Sequence, residues 1–255
     1  MKKIGIIGFG WLGSRIADHL DGKFDIYATT TSSDKLRDIQ SRGFNAEIAV
    51  FNDSTDDKYT ESWKIINQLD AMIITIPLSE RRSSRETLEI ILSKLFSFIG
   101  KYEKQIFFTS TTSVYPNQPG IYTEEMMPVK NIFIENELCK KFPQINILRL
   151  GGLMGDRRLL KNFTVSDLGG IVNHVHYNDV AEVIRTMMEN SVKSKVYNVV
   201  APLHPTKQEV ISAQNNIPLS DGLCNDEQRI ISSEKLVSEL GFNFKYPDPE
   251  KFHME

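Results

Sequence analysis

A short apolar run near the start of the chain, Lys3–Ile7, turns directly into Trp11–Leu20, where apolar residues recur every three or four positions. Apolar residues at consecutive rather than alternating positions read as a strand covered on both faces, and the spacing that follows reads as an amphipathic helix. The couplet recurs. Strand-like runs fall at Phe24–Ala28, Ala46–Val50, Ala71–Ile76, Gln105–Phe108 and Ile145–Leu150, with helix-like segments at Asp34–Arg42, Arg85–Ile99 and Asn131–Lys141. Doubly covered strands alternating with helices define an α/β fold, a doubly wound parallel sheet. Beyond Leu150 the rhythm loosens. Ile171–His176 leads into Asp179–Glu189, then comes Lys195–Val200, and a last helix, EKLVSEL, has Ser232 or Ser233 as N-cap and Gly241 as C-cap. The tail KYPDPEKFHME reads as irregular. The expectation is one α/β domain over residues 1–255, with about 151–255 contributing late strands and a small lobe over the sheet's edge.

At 255 residues the chain can bury roughly three quarters of its unfolded surface, so it needs no disulfide or metal staple. Its 40% hydrophobic and 25% charged residues are ordinary for a globular protein, and 15 glycines and 10 prolines are too few for a collagen-like chain. A formal net charge of −3 argues against a protein that works by gripping nucleic-acid phosphates. Cys139 and Cys224 belong to no CxxC pattern, which fits a reducing cytoplasm and offers no metal framework. No apolar stretch approaches the roughly 18 residues of a membrane helix. Lys2-Lys3 followed by IGIIGFGWLG resembles a signal peptide only superficially: glycines interrupt it, Arg15 and Asp18 follow, and no small-residue cleavage site is present.

Gly8-Phe9-Gly10-Trp11-Leu12-Gly13 reads G-x-G-x-x-G, placed between a strand and a helix as that motif's chemistry requires. Gly8 permits the tight turn, Gly10 lets main-chain amides approach a diphosphate, and Gly13 lets the helix pack on the strand. The helix N-terminus supplies unpaired N–H groups and a positive dipole end. The segment predicts a dinucleotide cradle. An NAD site usually carries an acid about 20 residues further on, to hold the ribose hydroxyls. Here that position is Thr30, within Ala28-Thr29-Thr30-Thr31-Ser32-Ser33, and Asp34 follows the run as an expected helix N-cap. Hydroxyls at Thr30, Thr31 and Ser32, with Lys35 and Arg37 nearby, tolerate a 2′-phosphate that an acid would repel. The reading therefore leans to NADP and leaves NAD open. A Ser/Thr-rich turn capping the next helix is equally compatible with these residues.

Ile106-Phe107-Phe108-Thr109-Ser110-Thr111-Thr112-Ser113-Val114-Tyr115-Pro116 resembles the SS-x-x-VYG segment of the extended short-chain dehydrogenases/reductases, the NAD-dependent epimerase/dehydratase family. Leu148–Gly155 resembles that family's LRxxxxYG strand, Val175–Val180 its IHVDDV segment and Val196–Val199 its YNV. The chain is similar to the atypical YeeZ-like branch of the family. The matching segments are GxGWLG, Thr75-Ile76-Pro77 for ITxP, Thr112–Tyr115 within STSVY, Ala201–Pro205 for APxHP, and Leu240–Pro249 near the end. Similarity extends over essentially the whole chain and is weakest from about Asp156 to Gly170. The resemblance implies a Rossmann sheet of the extended short-chain type and an oxidoreductase or epimerase activity. It implies a nicotinamide dinucleotide held by Gly8, Phe9, Gly10, Trp11, Leu12 and Gly13, with Ile76 and Pro77 at the fourth strand's exit. Thr111 matches the family's Ser/Thr position, whose hydroxyl holds a substrate oxygen.

The family's Tyr-x-x-x-Lys pair, in which the ammonium lowers the phenol's pKa for proton exchange, is missing. None of the eight tyrosines has Lys four residues later. With Glu137 laid on the family's later Glu, Phe133 falls at the Lys position and Val129 at the Tyr position. Tyr115 is the candidate replacement donor, against a packing role with its hydroxyl pointing outward. Ser110 and Ser113 lack a G-x-S-x-G context, which argues against a hydrolase nucleophile. His174 and His176 share a strand face without an acid or thiol cluster beyond Asp179. No metal site is expected there, and Asp179 is expected to cap the following helix while His176 packs beside it. Arg81 and Arg82 follow the fourth strand and Arg157 and Arg158 the sixth, where guanidinium groups would clamp a carboxylate or phosphate at the sheet's carboxyl edge; solvated loops are the alternative. Two functions are compatible with all this. One is an NADP-dependent enzyme acting on a small anionic or sugar-nucleotide-like substrate. The other is a non-catalytic NAD(P)-binding redox sensor. Neither nucleic acid nor a membrane is an expected partner, and relatives that pair through outer-face helices leave room for a homodimer.

Overall fold

In the computed structural model, which describes residues 1–54, 62–218 and 228–254, the apolar runs become strands and the amphipathic stretches become helices. The strands are β1 (Lys2–Ile7), β2 (Phe24–Thr30), β3 (Asn45–Ile48), β4 (Ala71–Ile74), β5 (Gln105–Thr111), β6 (Gly120–Tyr122), β7 (Ile145–Leu150), β8 (Gly152–Met154), β9 (His174–His176), β10 (Val196–Val199) and β11 (Arg229–Ile231). The helices are α1 (Trp11–Leu20), α2 (Ser33–Ser41), α3 (Arg85–Ile99), α4 (Phe133–Lys141), α5 (Tyr177–Glu189), α6 (Lys207–Asn215) and α7 (Glu234–Leu240). Seven strands form a sheet in the order β10-β7-β5-β4-β1-β2-β3, the doubly wound arrangement expected from the alternating pattern. Cys224 lies outside the described residues. The chain divides into two compact units: Met1–Ser110, Val129–Ile147 and Met188–Lys195 make the first; Thr111–Pro128, Leu148–Met187 and Val196–Glu255 make the second.

In the first unit β1 pairs in parallel with β2 and β4, with Ile7 level with Thr29 on one side and Ile74 on the other. Ile4, Ile6, Ile7, Met72, Ile73 and Ile74 are each at most 1% exposed, as strands covered on both faces require. Burying a side chain of this size stabilises by about 1.5–3 kcal/mol. Helix α1 buries Leu12, Gly13, Ile16, Ala17 and Leu20, one stripe at helical spacing. Trp63 stacks on Phe98 of α3 with ring centroids 5.3 Å apart.

Among the boundaries that differ from the sequence expectation are those of β4, α2 and α4. Strand β4 ends at Ile74; the Thr75 N–H still donates to the Ile7 carbonyl at 2.9 Å, and its hydroxyl adds bonds to the Ile7 and Gly8 carbonyls. Helix α2 is capped by Ser32, whose Oγ accepts from the Lys35 N–H, while Asp34 pairs with Arg37 at 2.6 Å on the surface. Helix α4 begins only at Phe133, after a single 3-10 turn over Val129–Asn131. Its N-cap position, Ile132, has no capping side chain, and the Glu80 carboxylate accepts the Ile134 N–H instead, at 3.1 Å.

In the second unit β6 pairs with β11 and β8 with β9, both in parallel. One buried cluster joins Met154, Leu160, Val172, Ala201, Val210 and Phe252; another joins Tyr115, Tyr122, Val200 and Ile231. Thr206 and Glu209 form a reciprocal capping box on α6, and Gly241 closes α7 at φ +60°. The tail has the irregular course expected, with a single 3-10 turn at Pro249–Lys251, yet it is packed: Tyr246 stacks on His176 at 3.8 Å and Phe252 is 1% exposed. Helix α5 starts at Tyr177, and Asp179 does not cap it as expected. Its two carboxylate oxygens accept from the Lys245 and Tyr246 N–H groups at 2.9 and 3.0 Å, so the acid ties down the tail.

Candidate functional site

The turn from β1 into α1 lies beside β4, at the position where the strand order reverses and where open α/β sheets bind ligands. Gly8 has φ +101°, a conformation that side chains disfavour, and a Cβ there would lie 2.9 Å from the Ile76 side chain and 3.0 Å from its nitrogen. A Cβ on Gly13 would sit 2.3 Å from the Gly8 carbonyl oxygen, so α1 approaches the turn too closely for any side chain. Gly10 is different. A Cβ there would meet nothing within 4 Å. It is the N-cap of α1, extended at φ −85° and ψ −160°, with no capping side chain and no acid in the helix's first turn. The helix end therefore presents main-chain N–H groups toward open space, a donor set that suits a diphosphate.

Second-strand residues hold this turn in place. The Gly8 N–H donates to Thr29 Oγ1 at 3.1 Å and the Phe9 N–H to the Thr29 carbonyl at 2.9 Å. Thr29, which the motif reading passes over, is thus the brace. Thr30 is buried, Thr31 is exposed and Ser32 spends its hydroxyl on capping α2. Both aromatic residues of the fingerprint carry cations. The Arg42 guanidinium lies 5.3 Å from the Phe9 ring centre and also pairs with Asp18, and the Arg15 guanidinium lies 4.6 Å from the Trp11 ring. The structure thus brings Gly8, Gly10, Gly13 and Ile76 together, with Pro77 following Ile76. Past β4, Arg81 and Arg82 are exposed on a turn in which the Ser79 carbonyl accepts from the Arg82 and Ser83 N–H groups. At the end of β5 the Ser110 hydroxyl donates to the fully buried Glu135 carboxylate at 2.7 Å, a contact with no sequence motif behind it.

In the second unit, the Thr111 hydroxyl is half-buried and accepts from the Ser113 N–H at 3.2 Å. Tyr115 is 1% exposed. Its hydroxyl points inward rather than outward, donating to Asn198 Oδ1 at 2.7 Å and accepting from Arg149 at 2.9 Å. Burial pushes this phenol's pKa up, and Arg149 opposes the shift. Arg149, itself fully buried, also donates to the Met127 carbonyl at 2.8 Å. Glu124 accepts from the Asn198 N–H at 2.6 Å, and burial raises its carboxyl. Arg157 is exposed, and Arg158 lies 6.0 Å from the Phe163 ring. His176 Nδ1 accepts from the Asn178 N–H at 3.2 Å, consistent with the packing role expected of it. Burial, reinforced by the charge of Lys207, lowers His174 to about 4. Among the described residues no group of three His, Cys, Asp or Glu could hold a metal, and no helix is long and apolar enough to cross a membrane.

No family model matches the chain. Protein YeeZ of Escherichia coli (strain K12) is 26% identical over 277 residues, covering 98% of this chain and 98% of that protein. Among solved structures, a functionally unknown conserved protein from Silicibacter pomeroyi DSS aligns over 99% of this chain and 96% of its own with a TM-score of 0.72 at 17% identity. A UDP-glucuronic acid 4-epimerase from Bacillus cereus, solved with UDP-glucuronic acid and NAD, gives 0.71 at 17% identity over 98% and 96%. RMD from Pseudomonas aeruginosa, complexed with NADPH, gives 0.66 at 13% over 99% and 96%. The fold is the Rossmann-like parallel sheet these proteins share.

Proposed function

We propose that this chain is an NADP-dependent oxidoreductase of the short-chain epimerase/dehydratase kind, acting on a small anionic or sugar-nucleotide-like substrate. The observation that carries this reading is the open space at Gly10, where an uncapped helix end meets no side chain. Within the Gly8–Gly13 turn the amides from Gly10 onward would hold the diphosphate, those of Gly8 and Phe9 being taken by Thr29, and Ile76 and Pro77 would form a wall. The exposed Thr31 and Lys35, next to Thr30 and Ser32, leave the ribose end free of the acid an NAD site uses. The named neighbours from Bacillus cereus and Pseudomonas aeruginosa bind NAD and NADPH, which supports a nicotinamide dinucleotide here. When bound, that cofactor supplies hydride transfer. The Thr111 hydroxyl is the candidate group for a substrate oxygen, and the exposed Arg81, Arg82 and Arg157 are the candidate groups for an anion. The proton exchanges with water, because Asn198 and Arg149 already occupy the Tyr115 hydroxyl.

Calorimetry with NADP and NAD tests the cofactor. NADP is expected to bind more tightly, and a folded Gly10→Asp variant is expected to bind neither. Unchanged NADPH affinity in that variant overturns the reading. NADPH oxidation with carbonyl substrates should fall in Thr111→Ala, and unaltered turnover removes that residue from the mechanism. Two observations favour a second reading, a non-catalytic NAD(P)-binding redox sensor: Tyr115 is locked into the interior, and no tyrosine is followed by a lysine at the catalytic spacing. Tight dinucleotide binding without turnover on any carbonyl substrate selects it.

A further inference from the structure

The second unit contains an open cleft of about 600 Å³, within the size range of small-molecule sites. Part of its wall is Phe163 to Asp167, in the stretch where the sequence is least similar to the family. Two cations, Lys207 and Arg229, line it against one acid, Asp167. Each cation is partly satisfied by the protein. The Lys207 ammonium donates to the Ser166 carbonyl at 3.1 Å and lies 3.6 Å from the Asp167 carboxylate, while Arg229 donates to the Thr112 and Pro116 carbonyls at 2.9 and 2.8 Å. The cleft thus carries one net positive charge, which suits a carboxylate better than a phosphate dianion. His174 also lines it and is neutral near pH 7, offering a hydrogen bond without charge. Asn117 and Gln118 stand exposed at its rim. Side-chain amides both donate and accept, as neighbouring hydroxyl groups do.

We propose that this cleft binds a hydroxylated monocarboxylate, a sugar acid, with its carboxylate against Lys207 and its hydroxyls against Asn117 and Gln118. Calling that ligand the substrate rests on the oxidoreductase reading; the binding itself does not. The test is calorimetry of the full chain with glucuronate, galacturonate and gluconate as probes, and with galactose and acetate as partial mimics. At least one sugar acid should bind about tenfold more tightly than either mimic, the difference expected from one charge-assisted hydrogen bond. Lys207→Gln should remove that margin without changing the melting temperature, and Lys207→Arg should restore it. Absence of sugar-acid binding, equal binding of galactose, or unchanged affinity in Lys207→Gln overturns the proposal. NADP titrated into the same samples separates the two readings. NADP binding without sugar-acid binding sinks the cleft and spares the cofactor, and the reverse spares the cleft and sinks the cofactor.

Discussion

Gly10 and Gly13 stand three residues apart in one motif, yet the structure assigns them different burdens, so alanine at each should fail differently. A Cβ at Gly13 falls 2.3 Å from the Gly8 carbonyl oxygen and 3.0 Å from the Thr75 hydroxyl, and the nearer atom is backbone that cannot swing away. Helix α1 would have to shift by several tenths of an ångström against β1. Alanine's better helix propensity, about 1 kcal/mol over glycine, offsets part of that cost. With overpacking costing typically 1–3 kcal/mol, the net loss for Gly13→Ala should be about 1–2 kcal/mol. In a chain of this size that is about 2–8 °C of melting temperature. Gly10→Ala meets no atom within 4 Å at an allowed φ of −85°, so it should cost only the difference between a good and a poor N-cap, about 0.5–1 kcal/mol. Its methyl group would instead hold a diphosphate off the helix N–H groups. Losing one such charge-assisted hydrogen bond costs about 1.5–3 kcal/mol, or about ten- to a hundredfold in affinity.

Differential scanning fluorimetry of the apo proteins and calorimetry with NADPH read the two effects separately. Gly13→Ala should melt clearly below wild type, and Gly10→Ala should melt near it but bind NADPH at least about tenfold more weakly. Wild-type NADPH affinity in Gly10→Ala would mean that the open space holds no phosphate. Wild-type melting in Gly13→Ala would mean that the helix is not pinned to the turn.

Tyr115→Phe removes the donor to Asn198 Oδ1 and one of the acceptors of Arg149 in the interior, and should cost about 1–3 kcal/mol in urea denaturation. An unchanged midpoint would show that neither group depends on the phenol. Asp179→Ala leaves the Lys245 and Tyr246 N–H groups unpaired and should speed their amide exchange while α1 stays protected. Uniform exchange along the chain would refute the tail-anchoring role. His174 is lowered from 6.5 to about 4 in the folded protein, so between those values the unfolded chain binds more protons and stability falls as pH falls. His174→Gln should flatten that slope between pH 6.5 and 4, and an identical slope would place its origin elsewhere.

Where structure depends on neighbours in the chain, the sequence was informative. The β1–α1 turn needs one strand, three glycines and one helix within twenty residues, and periodicity with glycine spacing displays all of them. Boundaries set by competition between capping residues were less visible. Ser32 and Asp34 are both good N-caps, and Ser32 takes the position because β2 pairs with β3 as far as Thr30, which leaves two residues to turn the chain into α2. The packing of the tail was invisible for a different reason. Tyr246 stacks on a ring 70 positions earlier, and Asp179 reaches N–H groups 66 and 67 positions away, so no local window contains the partners.

The same distinction separates nucleotide binding from chemistry. Diphosphate recognition uses main-chain groups, so glycine spacing alone reports it. Proton transfer uses side chains whose roles depend on what they touch. Tyr115 follows a buried strand and lies four residues beyond Thr111, which is where a replacement proton donor would be sought. Arg149 and Asn198, 34 and 83 positions away, turn its hydroxyl into an interior strut. Ser110 likewise looks like a spare hydroxyl until Glu135, 25 positions on, is seen to accept its proton. A chain of this kind can therefore keep every mark of a dinucleotide site while its proton donor changes or disappears, and binding and turnover have to be measured as independent properties.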